Sequence, residues 1–290
     1  MTLNVLALND ELGNNASHFF KSGNVLRNPK CLSLKISNLL PPKGLYNTNL
    51  EYDLWYDMGG SKEIHGYVYT DALSDFLYIK PANSYFTDKV MMESLKVEPT
   101  EEGIALIDKM GKRTLDKYRL RKTTSKHDFV IFLPGTNCIK EALNFDKAKA
   151  AVLQGAVVKP HPISSSSLIV HLNNVFGEEN VLERKASGHD IMQDAKIVGC
   201  CSNSEMGLAA IAAGKGFHMF TDLQSKHFTY TSIYKAILSG GSYRDNLIKL
   251  FSSEFSGLVS GQSEKALNKI AVFFNQFSGV THVESKNTDT

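Results

Sequence analysis

The chain has 290 residues, 42% hydrophobic and 21% charged, with a formal net charge of +2. That length and composition are those of an ordinary globular protein with one large or two modest cores, and the near balance of charge names no partner for the molecule as a whole. No apolar run approaches the roughly 20 residues of a membrane span, and the first residues lack a basic leader. The cysteines Cys31, Cys138, Cys200 and Cys201 show no Cys-x-x-Cys spacing. Free thiols in a reducing cytoplasm therefore fit better than a metal site or a disulfide framework.

Residues 3–8 form a short apolar run, read as a first strand. A polar turn, Asn9-Asp10-Glu11-Leu12-Gly13, follows and enters a helix near His18. Residues 31–39 alternate as a strand does and are broken by Pro41-Pro42-Lys43-Gly44. Residues 52–58 read as another strand, with Asp57 just before the Gly59-Gly60 turn. Trp55, Tyr56, Tyr67, Tyr69, Tyr78 and Tyr85 make this region dense in aromatics, as a core or a cleft wall would be. Thr100 followed by Glu101 and Glu102 predicts a capped helix over about 101–120, with Ile104, Ile107, Met110 and Leu115 on its apolar side. Its second half is basic: Lys109, Lys112, Arg113, Lys117, Arg119, Arg121, Lys122 and Lys126 are opposed by Asp116 alone. Such a stretch is either a solvated helix face or a surface for an anion: a nucleic-acid backbone, an acidic glycan or an anionic membrane.

Residues 123–127 read as a linker. A new strand over 129–133 ends in Pro134-Gly135-Thr136-Asn137. A helix over 146–153 leads to the strand 156–159, which runs into Lys159-Pro160-His161-Pro162. Four serines, Ser164 to Ser167, precede an amphipathic helix over 168–176 that ends at Gly177. Further strands are expected at 180–184, 196–199 and 216–220, and a short helix at 190–194. The turn Cys200-Cys201-Ser202-Asn203-Ser204-Glu205 leads into an alanine-rich helix ending near Gly214-Lys215. This β-α alternation from 129 to 214 is that of a parallel sheet. Two of its strands end in a polar turn and a helix start, where N–H groups and the dipole suit an anionic ligand such as a phosphate or nucleotide. Helices over 232–238, 243–255 and 263–277 and a polar tail from 278 complete the chain.

The strand-Lys-Pro-His-Pro pattern resembles one in glycosyltransferases of the two-domain "B" fold, among them bacterial capsule-polysaccharide and sialyl/Kdo-type transferases. The serine turn running into Glu205, Ala209 and Gly214-Lys215 resembles the donor-binding helix of the same enzymes. The resemblance covers roughly residues 128–220. It implies an α/β protein of two Rossmann-like domains facing a cleft: an acceptor-side domain over 1–122, a nucleotide-sugar donor domain over 128–262, a helix over 263–277 crossing back to the first domain, and a disordered tail over 278–290. It places the donor against Gly135, Thr136, Lys159, His161, Ser202, Ser204 and Glu205. It makes Asp10, Glu11, His18 and, as a rival, Asp57 candidates for the acceptor's base, with His161 assisting the departing phosphate. No Asp-x-Asp motif is present, so metal-independent transfer is expected, with the nucleotide-sugar as substrate and no cofactor.

The basic stretch, through Lys112, Arg113, Arg119 and Arg121, fits an anionic acceptor. A hydroxymethylated base in viral DNA is favoured, with a capsule or lipooligosaccharide glycan as the rival. A nucleotide-sugar epimerase and a non-catalytic nucleotide-binding module remain open.

Overall fold

The computed structural model describes residues 4–5, 54–57, 66–71, 76–81, 84–113, 120–124, 126–136 and 138–260. The expected strand at 31–39, the helix at 263–277 and the tail lie outside these residues, as do Asp10, Glu11, His18 and Arg119. Two compact units are present: residues 1–106 with 248–290, and residues 107–247. The described strands are β1 (Asn4–Val5), β2 (Leu54–Asp57), β3 (Gly66–Asp71), β4 (Phe76–Pro81), β5 (Phe129–Phe132), β6 (Val157–Lys159), β7 (Ile197–Cys200), β8 (Gly216–Met219) and β9 (Leu258–Ser260).

In the first unit the sheet order is β1-β2-β3-β4-β9, and every pair is antiparallel. This corrects the expectation of a doubly wound sheet in the N-terminal half, as far as the described strands go. For β2, β3 and β4 the reason is connection length: residues 58–65 and 72–75 join successive strands, whereas a parallel crossover needs about a dozen residues or more. Five of the six aromatics noted in the sequence fall on this sheet, where Trp55 is paired in register with Tyr67, and Tyr69 with Tyr78; the sixth, Tyr85, lies in the helix that follows. Helix α1 (Ser84–Ser94) follows β4 directly. Helix α2 (Glu101–Gly111) starts where its threonine predicts: the Thr100 hydroxyl accepts the Gly103 N–H at 3.1 Å, and the Thr100 N–H donates to Ser252 Oγ at 2.9 Å.

The second unit is built on a parallel sheet of order β6-β5-β7-β8. Strands buried on both faces read as unbroken apolar runs, and Val130, Ile131, Val158 and Val198 are fully buried here. Beyond β6 the expected strand over 180–184 is reduced to one parallel bridge, Val158 with Val181. Gly177, at φ 85°, turns the chain into a short 3₁₀ segment, Glu178–Asn180. The Val181 N–H bonds back to Glu178, so only the Leu182 N–H reaches β6, at Val158 O.

The connecting helices are α3 (Ile139–Ala142), α4 (Phe145–Leu153), α5 (Ser166–Phe176), α6 (Gly188–Asp194) and α7 (Met206–Ala212), followed by α8 (Thr231–Ile237) and α9 (Tyr243–Ser252). Helix α5 shows why the sequence was readable. The Ser165 hydroxyl caps the Leu168 N–H, Gly177 ends the helix, and Leu168, Leu172 and Phe176 form its buried stripe. That stripe packs with Ile131, Val158 and Ala148, and Phe176 stacks on Phe145 with ring centroids 6.3 Å apart.

Candidate functional site

The chain leaves β5 for β6 on one side of the sheet, then returns to β7 on the other. The strand order therefore reverses between β5 and β7, and ligands of open α/β sheets bind at the carboxyl edge of such a reversal. The turn after β5 touches both neighbouring turns. The Thr136 hydroxyl accepts the Ser165 N–H at 2.8 Å, and the Asn203 amide nitrogen lies 3.1 Å from Cys138 Sγ. The His161 and Ser204 turns thus leave one edge of one sheet, on the two strands flanking β5, and each is tied to the same central turn.

On the β6 side, His161 is half-buried. Its Nδ1 accepts the Ile163 N–H at 3.3 Å, which makes Nε2 the donor in the neutral ring, and its carbonyl accepts the Ser164 N–H. Lys159 is placed differently from the sequence expectation. It is 2% exposed, and its ammonium donates to the carbonyls of Pro160 at 3.0 Å and Arg184 at 2.9 Å. The expected phosphate ligand instead braces the end of β6, because a buried ammonium needs acceptors within the protein. Gly135 is buried, and its carbonyl accepts the N–H groups of Cys138 and Ile139, while Thr136 is exposed.

On the β7 side, Ser202 also departs from expectation. It is fully buried, with its hydroxyl 2.9 Å from that of Thr231 and its N–H donating to Thr221 Oγ1. Those bonds tie the turn to Thr221 and Thr231. Ser204 and Glu205 are half-buried. The Ser204 hydroxyl accepts the Met206 N–H at 3.2 Å, and its carbonyl accepts the Tyr234 hydroxyl at 2.6 Å. Tyr234 stacks flat on Phe217, with centroids 5.5 Å apart, and its hydroxyl lies 3.4 Å from Cys200 Sγ. Burial, then the neighbouring Cys200, pushes its phenol well above the ordinary tyrosine range, so the hydroxyl remains a donor. Sequence reasoning missed Tyr234, Asn203 and Arg184, since nothing in their local pattern tells which turn they reach.

The thiols here are sorted by burial. Cys138 is half-buried in the β5 turn, whereas Cys200 and Cys201 are fully buried. Burial pushes the Cys200 thiol up to about 12 and the Cys201 thiol above the ordinary range. In alkylation at pH 8 read residue by residue by mass spectrometry, Cys138 is expected to label first, with Cys200 and Cys201 protected until denaturant is added. Equal labelling of all three would refute the packing described. The same shifts fix a pH trend. Above the ordinary thiol pKa of about 8.5 the unfolded chain releases protons that the folded chain keeps, so stability falls from there towards pH 12.

The basic residues are partly engaged. Lys112 is exposed, and Arg113 is half-buried with its carbonyl accepting from Gln193. Arg121 is exposed and pairs with Glu183 at 3.4 Å. Its backbone bridges Ala186 in parallel, with the Arg121 N–H on Lys185 O and the Ser187 N–H on Arg121 O. Asp57 ends β2, in register with Asn4. Among the described residues no three His, Cys, Asp or Glu side chains gather as a metal site, and no helix is long and apolar enough to cross a membrane.

No protein-family model and no curated protein matches the chain. Among solved structures it is similar to Thermosulfurimonas dismutans KpsC, a beta Kdo 2,7 transferase, at 16% identity and a TM-score of 0.36, covering 68% of this chain and 72% of that one. A likeness at that level carries no inference about activity.

Proposed function

We propose that the protein is a glycosyltransferase whose nucleotide-sugar donor binds at the carboxyl edge of β5, β6 and β7. The observation that carries this reading is the strand-order reversal, with the His161 and Ser204 turns both tied to the turn between them. His161 meets the donor phosphate, Gly135 and Thr136 border it, and Glu205 holds the ribose from the start of α7. The acceptor's base is Asp10 or Asp57, and no metal ion takes part. The acceptor is anionic and meets the basic residues around Lys112 and Arg121. A hydroxymethylated base in DNA is the first choice and an acidic glycan the second.

The test is a thermal-shift panel of nucleotides and nucleotide sugars, because a ligand that binds only the folded state raises its stability by RT ln(1 + [L]/Kd), about 2.7 kcal/mol at a hundredfold excess over Kd. One nucleotide family should raise the midpoint, and its sugar conjugate should turn over only when an acceptor is present. Absence of any shift at millimolar ligand refutes the donor site. Epimerised or hydrolysed donor without an acceptor assigns the protein to the epimerases. DNA retention that falls steeply with salt supports the DNA acceptor, and indifference to DNA removes it.

A further inference from the structure

We infer that Arg184 is an anion-binding residue at the start of α5, taking a phosphate oxyanion. Four observations converge on one turn. Arg184 is half-buried, and its Nη1 donates to the Ser164 carbonyl at 2.5 Å. Among the described residues no carboxylate pairs with it; the adjacent acid, Glu183, pairs with Arg121. A guanidinium carries five N–H donors in a planar fork, so the contact with Ser164 orients it and leaves donors for a bidentate partner. The buried Lys159 ammonium holds the Arg184 carbonyl at 2.9 Å and so fixes the backbone from which the guanidinium projects.

The turn that Arg184 reaches is suited to negative charge. Ser164 directly precedes Ser165, the cap of the 11-residue helix α5. The first N–H groups of a helix have no partner within it, and they carry the positive end of its dipole. Ser164 is 2% exposed, and among the described residues its hydroxyl has no hydrogen-bond partner. A buried hydroxyl without a partner is uncommon, because leaving one unpaired costs about 1–3 kcal/mol. His161, at the head of the same turn, adds an imidazole. A cation, a helix start, an unsatisfied hydroxyl and an imidazole within residues 161–167 and 184 define a phosphate subsite. The sequence credited its cation to Lys159, and the structure moves that role to Arg184.

The inference rests on the proposed donor site only for its location, since an inorganic anion needs no sugar. Binding of inorganic pyrophosphate is measured by isothermal titration calorimetry at low chloride for the wild type, Arg184→Gln, Arg184→Lys and the surface control Lys149→Gln. The wild type and Lys149→Gln are expected to bind alike, Arg184→Gln at least tenfold more weakly, and Arg184→Lys in between, because lysine keeps the charge without the fork. Pyrophosphate that fails to bind the wild type, or binds Arg184→Gln equally well, overturns the inference. Should Arg184→Gln fail to fold by circular dichroism, Arg184→Lys decides, and unchanged affinity there overturns it too. Loss of pyrophosphate binding in Arg184→Gln, with no nucleotide-sugar turnover by any variant, leaves this subsite standing and sinks the transferase reading.

Discussion

His161→Ala is expected to lower nucleotide-sugar turnover by about 10²–10³-fold, the usual effect of removing a positioned donor or proton-transfer group from a developing phosphate charge. The fold should barely register the change. The imidazole is half-buried in a turn, where its Nδ1 accepts the Ile163 N–H at 3.3 Å. Losing such a bond costs about 1 kcal/mol. The diagnostic pattern is a collapse of kcat with a midpoint of urea unfolding that moves little. Parallel tests of Asp10→Asn and Asp57→Asn ask whether either carboxylate is the proposed base: loss of turnover is expected in one of the two variants and not in both. An unchanged kcat in His161→Ala would remove the imidazole from the chemistry and leave the β6 turn as scaffolding.

Gly207→Ala is the largest expected effect on stability. A methyl group built at Gly207 would meet Cys200 Sγ and the Tyr234 hydroxyl at 2.4 Å, and the Phe217 ring at 2.7 Å. None of these can retreat easily: Cys200 and Tyr234 are fully buried, and Tyr234 is stacked on Phe217. Overpacking of this kind costs about 1–3 kcal/mol. It should also release the Tyr234 hydroxyl from the Ser204 carbonyl, so the variant is expected to lose nucleotide-induced thermal stabilisation as well as urea resistance. A wild-type urea midpoint in Gly207→Ala would show that the turn into α7 is slack and that Tyr234 does not hold it.

Much of the second unit was legible because its determinants are local. Val130-Ile131 and Val157-Val158 are continuous apolar runs, Ser165 and Gly177 bracket α5, and the alternation of such pieces implies parallel strands. What failed was set at a distance. The run around Val181 has strand composition, yet the turn at Gly177 leaves it one bridge to β6. In the first unit the strands at 54–57 and 66–71 carry no mark of their direction, which the short connections decide. The same limit applies at the candidate site. Lys159 and Ser202 are polar residues at strand ends, which is where ligand groups belong. Whether they face outward depends on Arg184, Thr221 and Thr231, which lie 25, 19 and 29 positions away along the chain. Arg184 was invisible for the converse reason: it lies in a stretch read as a strand, and its partner is a carbonyl rather than an acid.

The pairing of β9 with β4 has a consequence for biosynthesis. Residues 107–247 form one uninterrupted segment, whereas the other unit needs Leu258–Ser260 to complete the edge of its sheet. On the ribosome the parallel sheet has all its strands before that edge has been translated. The nascent chain therefore offers β4 as an unpaired edge throughout elongation, and such edges invite intermolecular pairing. Truncation before residue 258 should accordingly yield insoluble product, even though the segment that carries His161 and Arg184 is intact.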